Sequence, residues 1–133
     1  MNKICPDIAT AIADIRDGCT VLVSGFGGAG QPTDLIHALI DQGARDLTIV
    51  NNNAGNGENG LAALLKAGRV RKIICSFPKT ANSHVFDSLY AAKEIELELV
   101  PQGTLAERLR CAGAGLGGFF TPPGVGAPIA QGK

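Results

Sequence analysis

Residues 20–30, TVLVSGFGGAG, constrain this chain most: a short apolar run leads directly into a loop in which four of six positions are glycine. Glycine lets a backbone turn sharply and lets another group approach it closely. The arrangement recurs. The chain's 18 glycines concentrate at 25–30, 55–60 and 113–126, each time after an apolar segment. Short apolar runs that alternate with helical patterns and end in glycine-rich loops predict a parallel sheet with functional loops at its strand ends.

The periodicity fills in the elements. PDIATAIADIRDG (6–18) places Ile8, Ile12 and Ile15 on one helical face, with Pro6 in the first turn and Asp17-Gly18 as the stop. TVLVS (20–24), LTIVN (47–51) and KIICS (72–76) read as buried strands. PTDLIHALIDQG (32–43), LAALLKAG (61–68) and HVFDSLYAAK (84–93) read as helices, the first with Leu35, Ile36, Leu39 and Ile40 inward and Gly43 as its end. IELELV (95–100) alternates apolar and acidic residues, which predicts a strand with one wet face near a sheet edge. In TLAERLRCAG (104–113), Thr104 and Glu107 have the spacing of a capping box. The expected fold is one α/β domain over 1–133, a parallel, open, Rossmann-like sheet with helices on both faces.

Several function classes fall away. Twelve basic residues balance twelve acidic ones without a basic stripe, so no nucleic-acid partner is expected. No apolar run reaches the roughly 18 residues of a membrane span, and the N-terminus meets charge too early for a signal peptide. A cytoplasmic protein is expected. Cysteines 5, 19, 75 and 111 form no C-x-x-C pair and the two histidines are isolated, so no metal site is expected. Cys19 and Cys75 read as small buried hydrophobes.

Gly25, Gly27 and Gly30 also spell G-x-G-x-x-G, the spacing of a dinucleotide-binding turn. Such a turn needs an acidic residue at the end of the following strand to hold the ribose. Here that strand ends in Asn51, and Asp46 stands before it. The loop therefore suits a phosphate or carboxylate near a helix N-terminus, or only a tight strand-to-helix turn, and carries no sign of NAD.

DGCTVLVSGFGGAGQPTDLI resembles the signature of the α subunits of family I CoA transferases: Asp-Gly, an apolar strand, then a G-G-F-x-x-x-G-x-P pattern. LTIVNNNAGNGENGLAALL, ELELVPQGTLAERLRCAGAG and GFFTPPGVG resemble the same kind of chain in order and spacing. AGNGENGLAALL and CSFPK are most similar to the members of the bacterial β-ketoadipate pathway, which act on 3-oxoadipate. Ser24 stands where the signature has glycine. Family α subunits run past residue 133, so the resemblance implies an N-terminal portion of such a chain, its sheet incomplete at the C-terminus.

The resemblance implies transfer of CoA from succinyl-CoA to 3-oxoadipate through a glutamyl-CoA intermediate. It implies a β subunit that carries the nucleophilic glutamate in a Ser-Glu-Asn-Gly motif, an α2β2 assembly, CoA as a thioester substrate and no tightly bound cofactor. Glu58, in GENG, follows Gly57 and reads as a loop glutamate, not as that nucleophile. By resemblance Asn52, Asn53 and Gln102 are the oxyanion and substrate contacts, and Ser24, Gly25, Phe26, Gly27, Gly28, Ala29 and Gly30 approach CoA. Lys79 reads as a solvated loop lysine, with pairing to a distal carboxylate as the alternative. His37, His84, Arg108 and Arg110 read as surface residues. The alternatives are an acetoacetate or short-chain-acid transferase and a non-catalytic ligand-binding α/β domain.

Overall fold

The computed structural model describes residues 2–122, 124–128 and 131–132. Of the Gly/Pro-rich tail, residues 123, 129, 130 and 133 lie outside the described residues. Strands β1 (Thr20–Leu22), β2 (Leu47–Val50), β3 (Val70–Cys75) and β4 (Glu96–Leu99) form one sheet in that order, every pair parallel. The helices are α1 (Ile8–Ile12), α2 (Thr33–Gln42), α3 (Leu61–Lys66), α4 (His84–Ala91) and α5 (Gln102–Gly113).

Strands added in one direction through right-handed crossovers place every crossover helix on the same face. The packing agrees. Ile12 of α1, Ile36 and Leu39 of α2, Leu61, Leu64 and Leu65 of α3 and Phe86 of α4 share a core with Ile49 and Ile73 of the sheet. On the second face Leu105 of α5 packs with Val50, Ile74 and Val100. Side chains alternate along a strand, so the registered pair Ile49–Ile73 points one way and Val50–Ile74 the other. Both faces carry helices, four on one side and α5 on the other.

β4 is the last of the four strands among the described residues. Its acidic side chains are paired: Glu96 with Arg71 at 2.9 Å, and Glu98 with Lys72 and Arg108, each at 2.7 Å. Arg108, expected to be a surface residue, thus ties α5 to β4. Hydrogen bonds from Arg108 and then Lys72 hold the Glu98 carboxyl down at about 2. Burial pushes the Cys75 thiol up to about 11, which keeps it neutral and inert.

Four local expectations fail. β1 is not buried: Thr20 and Leu22 are exposed, Leu22 at 59%. On α2, Leu35 is exposed, beside the buried Ile36 and Leu39. Helix α1 covers only Ile8–Ile12, because Asp7 caps it by accepting from the Thr10 N–H at 2.7 Å and Pro6 lies outside. The capping box of Thr104 and Glu107 does not form. Pro101, with its fixed φ and no N–H to lose, starts α5 at Gln102, so Thr104 is already inside the helix. Its Oγ1 is buried without a partner among the described residues, and Glu107 pairs with Arg110 at 2.6 Å. Among the described residues no helix is long and apolar enough to cross a membrane.

Candidate active site

Parallel strands end together, so the loops that follow β1, β2 and β3 and the turn into α5 meet at one edge of the sheet. Asn51, at the end of β2, fastens the first two. Its Nδ2 donates to the carbonyls of Val23 (2.7 Å) and Ser24 (3.1 Å), and its Oδ1 accepts from the Asn53 N–H (2.9 Å). The residue that lacks the charge needed for a ribose is a structural clasp.

The glycine loop is a small hairpin. Phe26 and Ala29 exchange backbone hydrogen bonds of 3.0 and 3.2 Å, with Gly27-Gly28 at the tip. Ser24 Oγ closes its base by donating to Gly30 O at 2.9 Å. Gly25 has φ +119, and a Cβ there would lie 2.8 Å from Gln31 Cγ, so the turn itself requires glycine. Gly28 differs: its φ is ordinary and a Cβ would meet nothing within 4 Å. Helix α2 starts only at Thr33, with Pro32 at its cap, so the loop does not enter the helix directly as a dinucleotide-binding turn does.

Asn52, Ser76 and Gln102, from the ends of β2, β3 and β4, form one hydrogen-bonded cluster. Asn52 Nδ2 donates to Ser76 Oγ (3.1 Å) and to Gln102 Oε1 (3.0 Å). Ser76 Oγ donates to Gln102 Oε1 at 2.5 Å. Gln102 Oε1 therefore receives two donors, while its Nε2 makes no hydrogen bond among the described residues. Gln102 is exposed and is the first residue of α5, where first-turn N–H groups have no intrahelical acceptor. Beside it, Leu22, Val23, Val50, Asn52, Leu105 and Leu109 line part of a cleft of about 350 Å³. The cluster offers an outward N–H donor at a helix N-terminus next to an apolar cleft. That arrangement is suited to an oxygen that gains negative charge.

Asn53 is placed differently from Asn52. It is 1% exposed, its Nδ2 donates to Gly27 O (3.1 Å) and its Oδ1 accepts from the Gly55 N–H (2.8 Å). It links the glycine loop to the loop after β2. Gln31 adds a second link, donating to Gly27 O (3.1 Å) and accepting from the Leu61 N–H (3.4 Å). Neither Ser76 nor Gln31 stood out in the sequence. A polar residue directly after an apolar strand is a weak signal, and only the register of β2 and β3 gives Ser76 its partners.

Glu58 is exposed and pairs with Lys66 (3.3 Å), with His84 Nε2 3.8 Å away, outside the amide cluster. Lys79 is exposed and forms no ion pair among the described residues. His37 accepts from the Gly60 N–H at 3.3 Å.

Residues 6–133 match the family described as Coenzyme A transferase. The chain is 60% identical over its whole length to a 3-oxoadipate CoA-transferase subunit of Pseudomonas putida, of which it covers 58%. It is 44% identical, again over its whole length, to a probable succinyl-CoA:3-ketoacid coenzyme A transferase subunit of Bacillus subtilis, of which it covers 55%. Among solved structures, an acyl-CoA transferase from E. coli O157:H7 (YdiF), in a thioester complex with CoA, superposes with a TM-score of 0.76 at 29% identity. The match covers 90% of this chain and 24% of that one. The chain thus spans little more than half the length of the Pseudomonas and Bacillus relatives, and with the match running over 6–133 it belongs to the Coenzyme A transferase family.

Proposed function

We propose that this chain supplies the oxyanion-binding half of a CoA-transferase site that moves CoA from succinyl-CoA to 3-oxoadipate. The observation that carries this reading is the outward Gln102 Nε2, held at the meeting point of three strand ends. The nucleophilic glutamate comes from a β-type partner, in an assembly of two chains of each kind in the cytoplasm. The partner's carboxylate attacks the thioester carbonyl, whose oxygen becomes negative in the tetrahedral intermediate and accepts from Gln102 Nε2. The thiolate of CoA leaves, giving an acyl-glutamyl anhydride. It then attacks the glutamyl carbonyl, releasing the first acid and forming glutamyl-CoA. The second acid completes the exchange by the reverse steps. Asn52 orients Gln102, and Asn53 braces the loop of Ser24, Gly25, Phe26, Gly27, Gly28, Ala29 and Gly30, which approaches CoA. The exposed side chains of Phe26 and Phe120 favour a partner surface. CoA enters as a thioester substrate, and the chemistry calls on no tightly bound cofactor.

Borohydride reduction after addition of succinyl-CoA tests the division of labour. Label is expected on a glutamate of the partner, with no turnover from this chain alone. Label on Glu58 overturns the assignment. Comparing kcat/KM for 3-oxoadipate and acetoacetate tests the acceptor. The higher identity to the 3-oxoadipate enzyme favours the former, and preference for acetoacetate would reverse it.

Gly28→Val tests the loop. The chain itself leaves room for this side chain, so the melting temperature is expected to stay within about 3 °C, a change of roughly 1 kcal/mol or less. Activity is expected to disappear because the branched side chain occupies space that CoA needs. A fully active variant would show that the hairpin is only a turn.

A further inference from the structure

We infer that Ser76 is a positioning residue for the reaction, holding the Gln102 carboxamide in place beside the cleft. The inference rests on the reading of Gln102 under Proposed function. A carboxamide can present either its oxygen or its NH₂, and only the NH₂ stabilises an oxyanion. In the Asn52–Ser76–Gln102 cluster, Gln102 Oε1 accepts from both Ser76 Oγ (2.5 Å) and Asn52 Nδ2 (3.0 Å), so the NH₂ is turned outward.

Asn52 holds the carboxamide at one point only, and a side chain held at one point still swings about it. Ser76 supplies a second point. Its Oγ is held at the end of β3 because the backbone N–H groups of Ser76 and Phe77 both donate to Asn52 O, at 3.2 and 3.0 Å. From there the hydroxyl donates to Gln102 Oε1 while accepting from Asn52 Nδ2. Two donors on Oε1 keep the carboxamide beside the cleft.

Ser76→Ala, measured in the assembled transferase, is expected to lower kcat about tenfold, the worth of one hydrogen bond near the top of its usual range. KM for succinyl-CoA should stay within about twofold, because the free carboxamide still contacts the substrate. Ser76→Thr keeps the hydroxyl and should restore kcat to within about threefold. In a Gln102→Ala background, Ser76→Ala should cost nothing further, since Ser76 acts only through that side chain. A Ser76→Ala enzyme with full kcat, beside an impaired Gln102→Ala, overturns this inference and leaves the site reading standing. So does an equal loss in both backgrounds, which would mark a structural residue. Full kcat in Gln102→Ala overturns the site reading and this inference with it.

Discussion

Gln102→Ala is expected to lower kcat by about 100- to 1000-fold, the usual cost of one lost oxyanion donor. KM for succinyl-CoA should change by less than about threefold. The donor acts where charge develops, on the tetrahedral oxygen, and that charge is absent in the bound thioester. The variant should fold normally, because Gln102 is exposed and its neighbours keep other contacts: Ser76 Oγ has Asn52 O at 3.2 Å. Gln102→Glu sharpens the test. It matches the shape but replaces the N–H donor with an acceptor bearing charge, so its kcat should fall at least as far. Asn52→Ala should cost less, because both hydrogens of its Nδ2 are already engaged by Ser76 and Gln102. Unchanged kcat with a raised KM in Gln102→Ala would reduce the residue to a substrate contact.

Much of the frame was legible in the sequence, and the reasons are local. LTIV and VRKIIC are short apolar or alternating runs that each follow a glycine-ended helix, and that pattern fits few arrangements other than a parallel sheet. The acidic alternation of β4 disclosed a polar face, where Glu96 and Glu98 meet Arg71, Lys72 and Arg108. That Asn52 and Gln102 follow strand ends was legible in the order of the elements. What stayed hidden depends on register and on competition between turns. Ser76 meets Asn52 because β2 and β3 align to bring Asn52 O to its backbone, a relation between residues 24 apart. The spacing of Gly25, Gly27 and Gly30 suggested an anion-binding turn, yet those glycines serve a hairpin that folds on itself before α2 starts. Thr104 and Glu107 had the spacing of a cap, and Pro101 overrode it by starting the helix earlier. Asn52 and Asn53 are adjacent and chemically identical. Only the structure separates the one that faces Gln102 from the one sealed between Gly27 and Gly55.

Gly55→Ala is expected to be the most damaging small substitution for the fold. Gly55 lies in the loop between β2 and α3 with φ +88, a conformation that side-chain-bearing residues rarely adopt. An added Cβ would sit 2.6 Å from Ala62 N, 3.0 Å from Ala62 Cα and 3.1 Å from Leu61 C. All three are backbone atoms of α3, so no flexible side chain can swing aside. The helix cannot retreat either, because Leu61, Leu64 and Leu65 anchor it in the core at no more than 2% exposure. Backbone strain and overpacking each cost about 1–3 kcal/mol, so together they remove on the order of 2–6 kcal/mol. A domain of this size should then melt on the order of 10 °C lower. The damage should also reach the site. Gly55 N–H donates to Asn53 Oδ1 at 2.8 Å, and Asn53 in turn holds Gly27 O at 3.1 Å. Shifting Gly55 disturbs both loops, so activity per folded molecule should fall with stability. Gly28→Val is the contrasting case, where stability is kept and activity is lost. If Gly55→Ala melted within about 2 °C of the parent, the loop could yield where the packing says it cannot. The close seating of this loop against α3 would then not be what holds Asn52 and Asn53 in place.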